Sequence, residues 1–244
     1  MLARHSLHVG GSKVCLLMAA GVPSRGFPKT LLLSYHLVGI ESSMNQRKKQ
    51  PEQTRKVILD AADHDFSLQG YSGSGLNGII SRAGLTKGAL FHHFADKRAL
   101  AKGWIEERLA PAIDALWIAP LDAVNSLDAF RKFCRERFTA LRPDDAVSAL
   151  SAVAAELAAR DEMLGDALEA VFSIWRAAVA GLLERGKSTG WIHPSIQPAN
   201  EAALIVSAFA GFSVTAQAAR DPEVRRLAFT ALDGYLETLR AQES

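Results

Sequence analysis

Ser74-Gly75-Leu76-Asn77-Gly78-Ile79-Ile80-Ser81-Arg82-Ala83-Gly84-Leu85-Thr86-Lys87-Gly88-Ala89-Leu90-Phe91-His92-His93-Phe94 reads as two short helices joined by a tight turn. The spacing predicts helices over residues 76–83 and 87–93. Gly84 permits the positive φ that a sharp interhelical turn needs, and Thr86 is a good N-cap for the second helix. Ile79, Ala83, Leu85, Leu90 and Phe94 are spaced to close a small core over a preceding helix. That helix is predicted over residues 52–69, where Val57, Ile58, Ala61, Ala62, Phe66 and Leu68 form an apolar stripe. Gly70 follows, where a left-handed terminal residue is wanted. Asp96 caps a longer helix over residues 97–117, bent at Pro111. Gly75 and Gly78 leave the first short helix weakly capped.

Working outward, alanine and leucine dominate and β-branched residues rarely alternate, so the whole chain reads as all-α. Further helices are predicted over residues 126–141, 145–159 and 161–188, then from Pro198 to about residue 219. Asp221-Pro222-Glu223 starts a last helix that reaches about residue 240. A chain of 244 residues that is 48% hydrophobic, with a mean hydropathy of +0.05, can bury a sizeable core. The net charge of +2 is unevenly spread: residues 44–103 sum to +5 and residues 104–244 to −6. A basic module joined to an acidic one implies that only the first meets a polyanion. The cysteines, Cys15 and Cys134, are far apart and form no CxxC, which suits a reducing cytoplasm, where the protein is expected.

Residues 1–43 carry glycines, prolines and two short apolar runs, neither long enough to span a bilayer. They are expected to be a disordered or mis-annotated extension rather than a secretory signal. The basic arm Met44-Asn45-Gln46-Arg47-Lys48-Lys49 is then the working start.

The stretch from residue 74 through Leu100, with the helix before it from about Thr54, resembles the DNA-binding signature of the TetR family of regulators. The Ala83-Gly84-Leu85-Thr86-Lys87-Gly88 turn and the aromatic-histidine run after it carry the resemblance. It implies a three-helix helix-turn-helix DNA-binding domain over residues 44–100. A helical effector-binding and dimerisation domain would follow over residues 101–244. The implied function is a sequence-specific homodimeric regulator, a repressor released from double-stranded operator DNA by a small-molecule effector, with no cofactor and no membrane association. Such a recognition helix lies in the major groove. Thr86 and Lys87 would hold phosphate or a guanine edge, Gly88 and Ala89 would allow close approach, and His92, His93 and Lys97 would donate to phosphate. Phe91 stands where the family usually has tyrosine, which removes one hydroxyl contact.

Several other patterns compete. Gly73-Ser74-Gly75-Leu76-Asn77-Gly78 matches the G-x-G-x-x-G dinucleotide fingerprint, but a helix precedes it where a strand is required. Asp63-His64-Asp65 reads as a solvated helix face, because adjacent helical residues point about 100° apart. His92-His93 lacks a third ligand at helical spacing, and no catalytic constellation is present in the sequence, so neither a metal site nor an enzyme is expected. The alternatives are a helical enzyme or cofactor-binding protein and a non-specific architectural DNA binder.

Trp104, Trp117, Phe130, Phe133, Cys134, Phe138, Met163, Phe172 and Trp175 are candidates for an effector pocket, and equally for ordinary core. Cys134 would act as a sensor only with a lowered pKa, and a buried structural role is the simpler reading. Dimerisation is expected through the last two helices. Ala202, Ala203, Val206, Phe209, Ala210 and Val214 lie on one; Leu227, Ala231, Leu232, Tyr235, Leu236 and Leu239 lie on the other.

Overall fold

The computed structural model describes residues 3–9, 12–18, 29–218 and 222–241, with side chains from Gln50 onward except residues 216, 217 and 222. Two compact units divide the chain, Met1–Pro51 and Glu52–Ser244. In the first, β1 (Ala3–Val9) and β2 (Ser12–Met18) form an antiparallel hairpin in which Leu7 stands opposite Val14. Helix α1 (Lys29–Gly73) begins in this unit, well before the predicted residue 52. The strands depart from the sequence reading, which found no strand pattern; everything else in regular structure among the described residues is helical.

The second unit starts on the C-terminal part of α1. Ile58, Leu59, Ala61, Ala62 and Phe66 are buried there, while Leu68, expected on the same stripe, is exposed. Gly70 has φ +70°, so the chain turns at the predicted glycine. Helices α2 (Leu76–Ala83) and α3 (Lys87–His93) follow, with Gly84 between them at φ +65°. The Ala89 N–H donates to Thr86 Oγ1 at 3.2 Å, so the predicted N-cap is formed. Ile79, Leu90 and Phe94 are buried against α1, with Ala83 and Leu85 half-buried around them.

Asp63 and Asp65 are not a solvated face. Asp65 is buried and accepts from Arg82 Nε at 2.8 Å, pinning α2 to α1; Asp63 accepts from Trp104 Nε1 at 2.7 Å. An unpaired carboxylate at the first position would be strongly destabilising.

Helix α4 (Lys97–Trp104) is capped by Asp96, whose Oδ1 accepts from the Ala99 N–H at 2.7 Å. The rod continues through a π-helical turn (Ile105–Leu109), α5 (Ala110–Ile113), a second π-helical turn (Asp114–Ile118) and a 3-10 turn (Ala119–Ala123). Pro111 accounts for the first of these breaks. It has no N–H and its ring would strike the carbonyl four residues back in a regular α-helix. The wider turns reset the register: Ala110 N–H bonds to Ile105 O and Ala119 N–H to Asp114 O.

Five helices complete the unit: α6 (Leu127–Ala140), α7 (Ala146–Leu157), α8 (Glu162–Ser188), α9 (Pro198–Ala218) and α10 (Pro222–Glu237). Ser126, Asp145 and Asp161 cap α6, α7 and α8 through their side chains. Helix α9 packs closely on α7 and α8, and α10 on α6. Trp117, Trp175 and Phe209 meet ring to ring at the centre, with Trp117 centroids 5.0 Å from Trp175 and 4.7 Å from Phe209. One continuous core runs from Ile58 to Leu239, so the boundary expected at residue 100 falls inside α4, between buried Leu100 and Ala101.

Candidate nucleic-acid interface

Helix α3 is held by its inner side and presents the rest. Leu90 and Phe94 anchor it, Ala89 is half-buried at its base, and Thr86, Lys87, Gly88, Phe91 and His92 are exposed. Asn77, Gly78, Ser81 and Arg82 of α2 are also exposed. Lys87 Nζ lies 5.7 Å from the Phe91 ring centroid, and the His92 and His93 rings meet edge-on at 5.2 Å.

Gly88 is informative because the fold does not require it. A Cβ there would meet nothing nearer than Thr86 Oγ1, at 4.0 Å, and its φ is not positive. A glycine inside a short helix costs about 1 kcal/mol relative to alanine. Its bare backbone offers a place for a large external surface to approach closely. Gly78 differs, since a Cβ there would come within 3.3 Å of Asp65 Oδ2.

Two of the predicted contact residues are turned partly inward. Lys97 Nζ donates to the Ser74 carbonyl at 2.6 Å and sits 4.3 Å from the Tyr71 ring centroid; burial lowers its pKa. It thus ties α4 to the loop before α2. His93 is half-buried, and its pKa is lowered by burial first, then by His92 and Arg55. The Arg55 guanidinium bonds Glu107 through Nε at 3.1 Å, reaches the His93 carbonyl at 3.4 Å and lies 4.3 Å from the Phe94 ring centroid. The side chains of Arg47, Lys48 and Lys49 lie outside the described residues.

Sequence reading missed the residues that hold the α1–α4 segment on the rest of the unit. Glu156, at the end of α7, accepts from the backbone N–H groups of Tyr71 at 3.0 Å and Ser72 at 2.7 Å. Arg98 grips Asp161, the cap of α8, through two bonds of 2.6 and 2.8 Å. Arg108 bonds Asp60 at 2.8 Å. Partners 48 to 85 residues apart leave no local pattern, so no spacing rule would find them.

Of the candidate effector residues, Trp104 stands apart, fully buried with its ring 5.1 Å from Phe66. Phe133 and Trp175 gather around Trp117, and Phe138 packs instead with Phe212 and Phe229. Phe130 is buried and Phe172 half-buried. Cys134 is 1% exposed and burial pushes its thiol pKa up, which contradicts a thiolate sensor at rest. On α9, Ala202, Val206 and Phe209 turn into the core. The outward row is Ala203, Leu204, Ser207, Gly211 and Val214, matched on α10 by Val224, Leu227, Ala231 and Gly234.

Residues 58–103 match the family model described as bacterial regulatory proteins, tetR family, and residues 149–232 match the tetracyclin repressor-like C-terminal domain. The chain is 31% identical over 163 residues to the HTH-type transcriptional regulator LmrA of Bacillus subtilis, covering 64% of this chain and 81% of that one. It is 30% identical over 166 residues to the A-factor receptor protein of Streptomyces griseus. That alignment covers 68% of this chain and 56% of the receptor. A TetR transcriptional regulator from Chloroflexus aurantiacus superimposes with a TM-score of 0.70 at 23% identity, over 80% of this chain and all of that structure.

Proposed function

Given that the chain belongs to the TetR family of helix-turn-helix transcriptional regulators, we propose that it is a dimeric repressor whose α3 lies in the major groove of an operator. The observation that carries this is the outward face of α3. Thr86, Lys87 and His92 surround the bare backbone of Gly88, which the fold itself leaves open. Thr86 and Lys87 bind phosphate or a guanine edge, and His92 a phosphate. Lys97 acts by fixing the Ser74 loop, and His93 by supporting α3 from behind.

Two copies join through the exposed rows of α9 and α10, forming a four-helix interface. Small residues there, Ala203, Gly211, Ala231 and Gly234, allow close approach, and Leu204, Val214, Val224 and Leu227 supply apolar area. Residues 44–100 serve as the reading head and residues 101–244 as the effector and dimer region. A small molecule binding within residues 104–188 releases DNA by favouring a different spacing of the two heads. The Glu156 and Arg98–Asp161 contacts give that region its grip on the head. The relative from Streptomyces griseus is named a receptor, which supports ligand control.

A gel shift of the full chain on DNA flanking its own gene, against excess random duplex, tests the reading. A shifted complex that survives the competitor is expected; binding abolished by the random duplex contradicts it.

A further inference from the structure

Among the described basic side chains of α6, Arg137 is the one without an ion pair. The helix's other basic side chains face carboxylates: Arg131 pairs with Asp233 and Glu237, Arg135 lies 3.8 Å from Asp233, and Lys132 lies 4.0 Å from Glu136. Among the described residues no carboxylate lies within ion-pair distance of Arg137. Its Nε is buried without a hydrogen-bond partner, and its guanidinium lies 5.9 Å from the Phe133 ring centroid. A buried guanidinium N–H left unpaired is destabilising, and an acceptor brought to it removes that cost.

The surroundings suit a ligand. Arg137 follows Phe133 by four residues, so the two share a side of α6 distinct from the Arg131–Arg135–Phe138 side that meets α10. Helix α6 approaches α10 closely, and Phe138 reaches Phe212 of α9. Phe133 stands edge-on to Trp117 at 6.3 Å, and Trp117 packs on Trp175 and Phe209. An apolar body laid against Phe133, beside Trp117, would find aromatic rings for a wall and Arg137 at one end. A carboxylate there gives the guanidinium a paired, charge-assisted contact.

We propose that the effector is an apolar small molecule bearing a carboxylate, received by Arg137 with Phe133 and Trp117 as its wall. This rests on the reading of residues 104–188 as the effector region. The probes are octanoate, decanoate and 4-phenylbutyrate, each beside its primary amide, added to the full chain and to R137M and R137K. Binding is read by quenching of tryptophan fluorescence and by the melting temperature. At least one acid is expected to bind the native chain ten-fold or more tighter than its amide. R137M should lose that preference and R137K keep part of it. Unliganded R137M should melt no lower than the native chain, whereas a cation needed for folding would lower it.

Equal binding of acid and amide, unchanged acid binding by R137M, or binding of none of the acids overturns the proposal. Operator release is measured in parallel. Amides that release DNA as well as the acids leave effector control standing without the Arg137 site. Acids that bind through Arg137 and never change operator affinity keep the site and remove effector control.

Discussion

At the residue scale, Gly88 and Lys87 separate reading DNA from holding the fold. A methyl at Gly88 meets nothing nearer than Thr86 Oγ1 at 4.0 Å, and alanine is the better helix former. Gly88→Ala should therefore keep or raise the melting temperature while weakening operator binding at least ten-fold, read by calorimetry and by titration of labelled operator. Full affinity in a stable variant would show that no surface comes close there. Lys87→Ala should lower affinity and reduce the slope of log K against log salt by about one, as expected when one phosphate contact is lost. Lys97→Ala behaves differently, because its ammonium is already bound to the Ser74 carbonyl. It should lower the melting temperature along with affinity, and a change confined to the salt slope would restore Lys97 as a direct phosphate contact.

At the element scale, the joint between α4, α7 and α8 sets a pH dependence. The Arg98 side chain holds the Asp161 carboxyl below its ordinary value near 3.8, and the Arg55 side chain holds Glu107 below 4.5. A depressed carboxylate stabilises the folded state above its ordinary pKa and loses that contribution as pH falls through the folded value. Melting temperature should thus drop on acidification from pH 6 to pH 3. Asp161→Asn should lower it at pH 6 and flatten its fall; parallel curves would mean that the pair contributes nothing to the acid response.

The helices themselves were largely legible. Gly84, Thr86 and Asp96 announced their turn and caps, and α6, α7 and α8 began within a residue of expectation. The register changes around Pro111 were visible only as a bend, since sequence marks the missing N–H but not how the turns rearrange. The β1–β2 hairpin was overlooked although Gly10-Gly11, a favoured two-residue connection, separates Val9 from Ser12. The Glu156 and Asp161 contacts were illegible because their partners lie far away in sequence.

For the whole molecule, α9 and α10 decide the assembly. Periodicity identified them as apolar on broad faces, but burial was needed to show that Val206 and Phe209 serve the core while Leu204 and Val214 face outward. The double variant V214E/L227E should therefore sediment as a folded monomer with a helical spectrum like the parent and bind operator only weakly. A variant that stays dimeric would place the interface elsewhere. A chain beginning at Met44 should keep its melting temperature and DNA affinity, since Glu52–Ser244 forms a compact unit by itself. A fall of several degrees would assign residues 1–43 a part in the fold.

The central claim is that two α3 helices of one dimer read a specific sequence, and selection from a random duplex pool by the full chain tests it most directly. The account predicts enrichment of a near-palindrome with half-sites about one helical turn apart, bound roughly 1,000-fold or more tighter than random duplex and lost in Gly88→Ala. A pool that stays random after repeated rounds, with the chain binding every duplex alike, would contradict it.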